Sequence, residues 1–317
     1  MKKVAMAMML MVLATFAAEP TVSGVKAKQR YPWNGLVDIT CKVTGIEGTT
    51  NGIYFSVAAV PETGDALKGS QFWLMQNGVK TTGREVSTNG NYRLLWDAQA
   101  DLGTAIYSNM VVRVALKSHD KVQLWDGGPY WATVNIGADE PWESGYYFWW
   151  GDTIGYKRED DAWVASDGSS SNFSFSEENA PTCGKNIDTL KNESWITADG
   201  VLAPEHDAAH VQWGGGWRMP TDLDLDNLKS RCDWSQATMK GVNGYIVRGR
   251  GGYASASIFL PIAGAGHGNQ AFGNGYCWSS VPYDNSHSWV LYYINSYVGH
   301  SMRQIGNNIR AVQGFDE

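Results

Sequence analysis

Charge is scarce in this chain. Only 18% of its 317 residues are Asp, Glu, Lys or Arg, below the usual quarter. What charge there is sums to −7, which argues against nucleic acid or an anionic membrane surface as partner. Cysteine is sparse too. Cys41, Cys183, Cys232 and Cys277 stand far apart, so the close C-x-x-C pairs of a zinc ribbon are missing. In an exported chain an even count permits two disulfides, and spacing leaves all three pairings open. There is no G-x-S-x-G elbow and no cysteine in a motif that would lower its pKa, so the commonest signatures of a nucleophilic enzyme are absent from the sequence. Long apolar runs are missing as well, apart from residues 4–16, which are too few for a comfortable membrane span.

That one run has a different reading. Lys2 and Lys3 precede it and small residues follow it, so residues 1–17 are expected to be a secretory signal peptide, cleaved after Ala14 or Ala17. No cysteine near those positions offers a lipid anchor. The expected location is therefore outside the cytoplasm: extracellular, on the cell surface or in the periplasm, with no transmembrane segment.

What the chain has in abundance is Gly (36), Trp (15) and Tyr (15). Two stretches concentrate them. Residues 145–151 read GYYFWWG, and five consecutive aromatics cannot all face water. Residues 213–220 read WGGGWRMP, where the glycines let backbone pack on backbone. Arg218, between Trp217 and Met219, is expected to be buried and paired or stacked on a ring.

Residues 25–118 carry no long helical period. Period-two alternation at residues 37–43, 53–57, 92–96 and 110–116, separated by Gly-, Asn- and Pro-rich turns, predicts an all-β sandwich of the immunoglobulin or fibronectin-III kind, with no cleft of its own. Gln29-Arg30-Tyr31-Pro32-Trp33-Asn34-Gly35 and Leu95-Trp96-Asp97-Ala98-Gln99-Ala100-Asp101 resemble the β-sandwich modules that precede formylglycine-generating-enzyme-like domains in bacterial secreted proteins. That resemblance implies a presenting module without chemistry.

The polar Ser118-His119-Asp120-Lys121 marks a boundary, and residues 122–317 form the second expected domain. Its ordered wording is W-A-T-x-N-x-G-A from Trp131, W-R-M-P-T from Trp217, I-F-L-P-x-A-G from Ile258, Y-x-W-S-S from Tyr276 and I-R-A-V from Ile309. Together these resemble the Fibrobacter major paralogous domain family. The resemblance implies a loop-rich α+β fold of the C-type-lectin-like class, related in fold to formylglycine-generating enzyme. In such a fold the first strand, near Val122, should pair with the last, near Val312. Trp131, Trp149, Trp217, Arg218, Trp278 and Arg310 are the expected structural residues. Independently, Thr221 is a good N-cap with Asp222 and Asp224 in the turn after it, which predicts a helix; a second is expected near Leu202 to Val211.

Several constellations invite chemistry and are better explained otherwise. His206 and His210 have zinc-sharing spacing, but the acid between them is Asp207 and no third ligand follows. Asp222-Leu223-Asp224-Leu225-Asp226 opens like a calcium loop, yet the sixth position is Asn227 rather than glycine. No cofactor is expected; structural calcium, which lectin-like folds often carry, could fall at acids such as Asp160 and Asp161. The E-P-N and Q-P-D tripeptides of sugar-binding C-type lectins are absent. Formylglycine-generating chemistry would need two cysteines in the C-terminal part, which offers only Cys277.

A binding face is the best functional candidate. Residues 283–300 are dense in Tyr, Asn, Ser and His, the types that dominate adaptable binding surfaces. Asn285, His287, Trp289, Tyr293, Asn295, Tyr297 and His300 are the candidate contacts, about half of them expected outward by strand alternation. The competing reading is a polar-faced hairpin with its rings packed inward. The expected function is a secreted or surface-associated non-enzymatic protein binding glycan or protein; the alternatives are a degenerate formylglycine-generating-enzyme-like or glycoside-active enzyme and a structural envelope component.

Overall fold

The computed structural model describes residues 20–314, except 33, 47–52, 63–64, 82–83, 104–109, 160–161, 168, 170–173, 269 and 295. The expected signal peptide and the acids Asp160 and Asp161 lie outside the described residues. Within them the chain is mostly β, in small antiparallel sheets with short helices. No described helix is long and apolar enough to cross a membrane.

The N-terminal strands are β1 (Thr21–Gln29), β2 (Leu36–Thr44), β3 (Ile53–Val60), β4 (Leu67–Gly69), β5 (Phe72–Gln76), β6 (Val79–Lys80), β7 (Gly90–Asp97) and β8 (Val111–Ser118). They form two sheets, ordered β1-β2-β7-β5-β6 and β4-β3-β8, around one core. Alternation sets the faces: Ile39, Cys41 and Val43 of β2 and Phe55, Val57 and Ala59 of β3 point inward. The motif after β7 closes the end of this core. Asp97 caps α1 (Ala98–Leu102), and Asp101 accepts the Trp96 indole N–H at 2.6 Å and the Ser70 N–H at 2.8 Å.

The expectation of no cleft here is corrected. A groove of about 860 Å³ runs along this unit, lined by Lys26, Thr40, Lys42, Met75, Tyr92 and Arg93 among others. Its cause is strand length: β2 pairs with β7 from Leu36 to Val43, whereas β5 pairs only at Phe72, Trp73 and Leu74. Among the described residues, half of β7 thus has no paired strand on that side.

The C-terminal part begins with β9 (Lys121–Gln123), β10 (Tyr130–Ala132), β11 (Tyr156–Glu159) and β12 (Ala162–Ala165). Then come α2 (Ile187–Asn192), α3 (Ala208–Trp213), β13 (Trp217–Arg218) and α4 (Asp222–Arg231). The remaining strands are β14 (Asp233–Met239), β15 (Val242–Arg248), β16 (Ser257–Pro261), β17 (Ala265–His267), β18 (Gln270–Phe272), β19 (Tyr276–Pro282), β20 (His287–Tyr292), β21 (Tyr297–Met302) and β22 (Val312–Gln313). The ends meet in a sheet ordered β13-β22-β10-β9. The closing strand β22 therefore pairs with β10, not with the Val122 segment, which sits one strand further out at the edge.

The aromatic run is a two-faced ribbon. Phe148 and Trp150 enter one core with Trp213, Trp217, Met219 and Trp278; Tyr147 and Trp149 enter another with Tyr156, Trp163 and Phe175. Two deep indoles of these cores bond backbone: Trp150 donates to Ser279 O at 2.8 Å and Trp278 to Phe148 O at 2.8 Å. Trp131 is fully buried beside Leu225, Leu228 and Cys277 in a third core.

All four thiols are free, so none of the three pairings forms. Cys41 belongs to the N-terminal core, Cys183 borders the Trp149 core, and Cys232 and Cys277 share a third without bonding. The helix after Pro220 is α4, and the second expected helix is a 3-10 turn (Pro204–His206) followed by α3.

Candidate functional site

The candidate hairpin is held from behind by a buried cation. Arg303 is wholly buried; its Nε donates to Ser288 Oγ at 3.0 Å, its Nη1 to Lys185 O at 2.8 Å and its Nη2 to Asp284 O. The guanidinium carbon lies 4.7 Å from the centre of the Trp150 ring. Burial lowers its pKa to about 10, so it stays charged. No sequence pattern singled it out, because nothing near Arg303 in the chain announces the loops it ties together.

Asp284 turns the chain into β20. Its Oδ1 accepts the N–H of Ser286 and of His287, each at 2.8 Å, and lies 2.9 Å from His287 Nδ1. Partial burial pushes this carboxyl up, but those N–H groups and the imidazole outweigh it and hold it at about 2. With Asp284 on Nδ1, His287 keeps Nε2 for a ligand.

Register divides the seven candidates. Trp289 stands opposite His300 and His287 opposite Met302, which places His287, Trp289 and His300 on one face. Tyr283 joins them from the turn, stacked on His300 at 4.3 Å and 4° and edge-on to Trp289 at 4.8 Å. His287 meets His300 edge-on at 4.9 Å. His300 and Asn285 are exposed, Tyr283 is 44% exposed, and Trp289 is half-buried against the core under α4. Tyr297 is 55% exposed but registers with Tyr292 on the opposite face, where Tyr276 lies 4.9 Å from Tyr292. Tyr293 is corrected outright: it is fully buried, its ring filling the space a Cβ at Gly275 would need. Asn295 lies outside the described residues.

The other candidate residues have structural work. Asp207 caps α3 through Ala209 and His210 and accepts the Met219 N–H at 2.9 Å, joining α3 to β13. His206 stacks on Trp195 at 4.0 Å. Asp224 completes a capping box with Thr221, so the acid run is a helix start. No group of three metal-ligating side chains occurs among the described residues. Cys277 is sealed and burial pushes its thiol to about 11, the opposite of an activated nucleophile.

Arg218 is paired, with Nη1 at 2.7 Å from Asp224 Oδ2, but it is not buried: its side chain is 39% exposed. On the short β13 alternation sends Trp217 inward and Arg218 outward. Arg310 is the buried one, donating to Asn135 Oδ1 at 2.9 Å, Ala132 O at 3.1 Å and Phe259 O at 2.9 Å.

The surface at Tyr283, Asp284, His287, Trp289 and His300 thus offers ring faces and edges beside a fixed acceptor and an imidazole nitrogen. Neither a family model nor a curated protein nor a solved structure matches the chain.

Proposed function

We propose that this is a secreted or surface-held, non-enzymatic binding protein that captures glycan on the Tyr283–Trp289–His300 face. One observation carries the reading: Tyr283, His287, Trp289 and His300 share one surface, with the Asp284 carboxylate fixed beside them. Aromatic rings cover the C–H faces of a pyranose, while a carboxylate and an imidazole bond its hydroxyls. A lectin-like module of the Fibrobacter major paralogous kind, carried on an immunoglobulin- or fibronectin-III-like sandwich, would present such a face; the two N-terminal sheets around one core and the terminal strands meeting in one sheet support that assignment. The inert thiol of Cys277 supports binding over oxidative catalysis.

The test is a cell-wall polysaccharide array probed with the full chain, followed by calorimetry on each polysaccharide captured. Tyr283→Ala and His300→Ala should each weaken capture by about tenfold or more. Their melting temperatures should stay close to that of the parent, since exposed side chains contribute little to stability. Unchanged affinity in both variants, or no capture by the parent, would sink the proposal.

A further inference from the structure

Glu85 bridges to Tyr54 of β3 and lines both the N-terminal groove and a smaller cavity. Both its carboxylate oxygens are sealed from solvent and make no hydrogen bond, although its side chain as a whole keeps 16% exposure. Nε2 of His119 lies 3.8 Å from Oε1, too long for a hydrogen bond, and is itself unpartnered. His119 is clamped between two rings: Tyr54 at 4.2 Å and 15°, and Trp213 at 3.7 Å and 16°. Gly214 lets Glu85 approach, since a Cβ there would stand 3.0 Å from Glu85 Cγ. So Tyr54 and Glu85 come from the N-terminal sheets, His119 from the connection, and Trp213 and Gly214 from the C-terminal part.

The adjoining cavity, about 70 Å³, has room for water and not for a sugar. The other charged groups facing it are already engaged. Arg84 donates to Ser70 O at 2.5 Å and lies 4.0 Å over Phe72. Asp139 pairs with Lys68 at 2.6 Å, and Lys157 sits 4.9 Å over Tyr146. Asp120, next to His119, acts on Tyr54 along with Asp139 and Glu85. Among the described residues only His119 comes within ion-pair distance of Glu85.

We propose that Glu85 and His119 form a proton-operated latch, which holds the N-terminal sheets on the C-terminal part while both groups are uncharged and loosens when either ionises. Burial supports the uncharged pair, raising Glu85 well above its ordinary 4.5 and lowering His119 from 6.5 to about 3. The pH dependence follows from linkage. Above 4.5 an open Glu85 gives up a proton that the closed one keeps, so closure weakens about tenfold per pH unit up to the raised value. Below 6.5 an open His119 takes a proton that the closed one refuses, so closure weakens about tenfold per unit down to about 3. Between 4.5 and 6.5 the two slopes cancel. The latch is therefore tightest on a mildly acidic plateau and weakens on both sides.

The readout is built in. The Trp73 indole donates to Ser166 O at 2.8 Å, from the N-terminal sheets to the C-terminal part, whereas the Trp278 indole bonds within the C-terminal core. In the full chain, indole hydrogen exchange of Trp73 is measured relative to Trp278, at about pH 5.5 and about pH 9. The ratio should rise at the higher pH in the parent and stay low in Glu85→Gln. A flat ratio in the parent, or a latch that Glu85→Gln opens at the lower pH as loss of an ion pair would, overturns the proposal. Should that variant not fold, the His119 ring resonance of the parent decides: it stays neutral well below pH 6.5 if the latch is right, and titrating there shows it is wrong.

Discussion

Arg310 and Arg218 both stand beside apolar residues in the chain, and the structure treats them in opposite ways. Arg310 is fully buried and spends its guanidinium on Asn135 and two carbonyls. Arg310→Ala would leave those acceptors stranded in a dry core, and we expect a loss of about 3–5 kcal/mol in urea unfolding. Arg218→Ala removes a half-exposed ion pair and should cost about 1 kcal/mol or less. Equal losses in the two variants would refute the distinction. Neighbours along the chain cannot separate these cases, because a strand sends adjacent residues to opposite sides. Alternation fails just past the ends of β20: Tyr293, in step with Trp289, is buried after the strand, while Tyr283, in the sequence stretch but not among the seven candidates, stands on the face from before it.

At the scale of elements, α4 was the most legible. Its signal is local: Thr221 accepts the Asp224 N–H at 3.1 Å and Asp224 Oδ2 accepts the Thr221 N–H at 2.9 Å. Thr221→Ala should lower stability by about 1 kcal/mol, the usual cost of a lost cap. Asp224→Ala should cost more, because the same carboxylate also holds Arg218. Chemical denaturation of both variants checks the order, and its reversal would show that the Arg218 contact adds nothing. The β20–β21 hairpin was legible as alternation but not as a site. Its useful face depends on the pairing of Trp289 with His300, and no rule of local spacing fixes that register. The aromatic run was likewise legible as buried, while its division between two cores was not.

For the molecule as a whole, the WGGGW stretch matters at two levels. Trp213 and Trp217 fill a C-terminal core, and Gly214, at φ 62°, leaves the space that Glu85 of the N-terminal sheets occupies. Gly214→Ala would put a side chain at φ 62° and ψ −165°, a region open essentially to glycine alone, at about 1–3 kcal/mol, and press on Glu85 as well. We expect faster Trp73 indole exchange at about pH 5.5 with the Trp278 indole unchanged. Acceleration of both together would mean that the seam and the core open as one unit.

The sequence by itself determined the features whose causes are local. Alternation marked the strands, Thr221 and Asp224 marked a helix, and the crowding of rings at residues 145–151 required burial. Tertiary structure decided everything that depends on which distant segments meet. It paired β22 with β10, kept four thiols apart or unbonded, brought Tyr283 onto His300, and enclosed Glu85 with His119 between two parts of the chain. The physical reason is that burial and desolvation are properties of a packed surface. A carboxylate such as Glu85 carries no mark in the chain of the water it will lose.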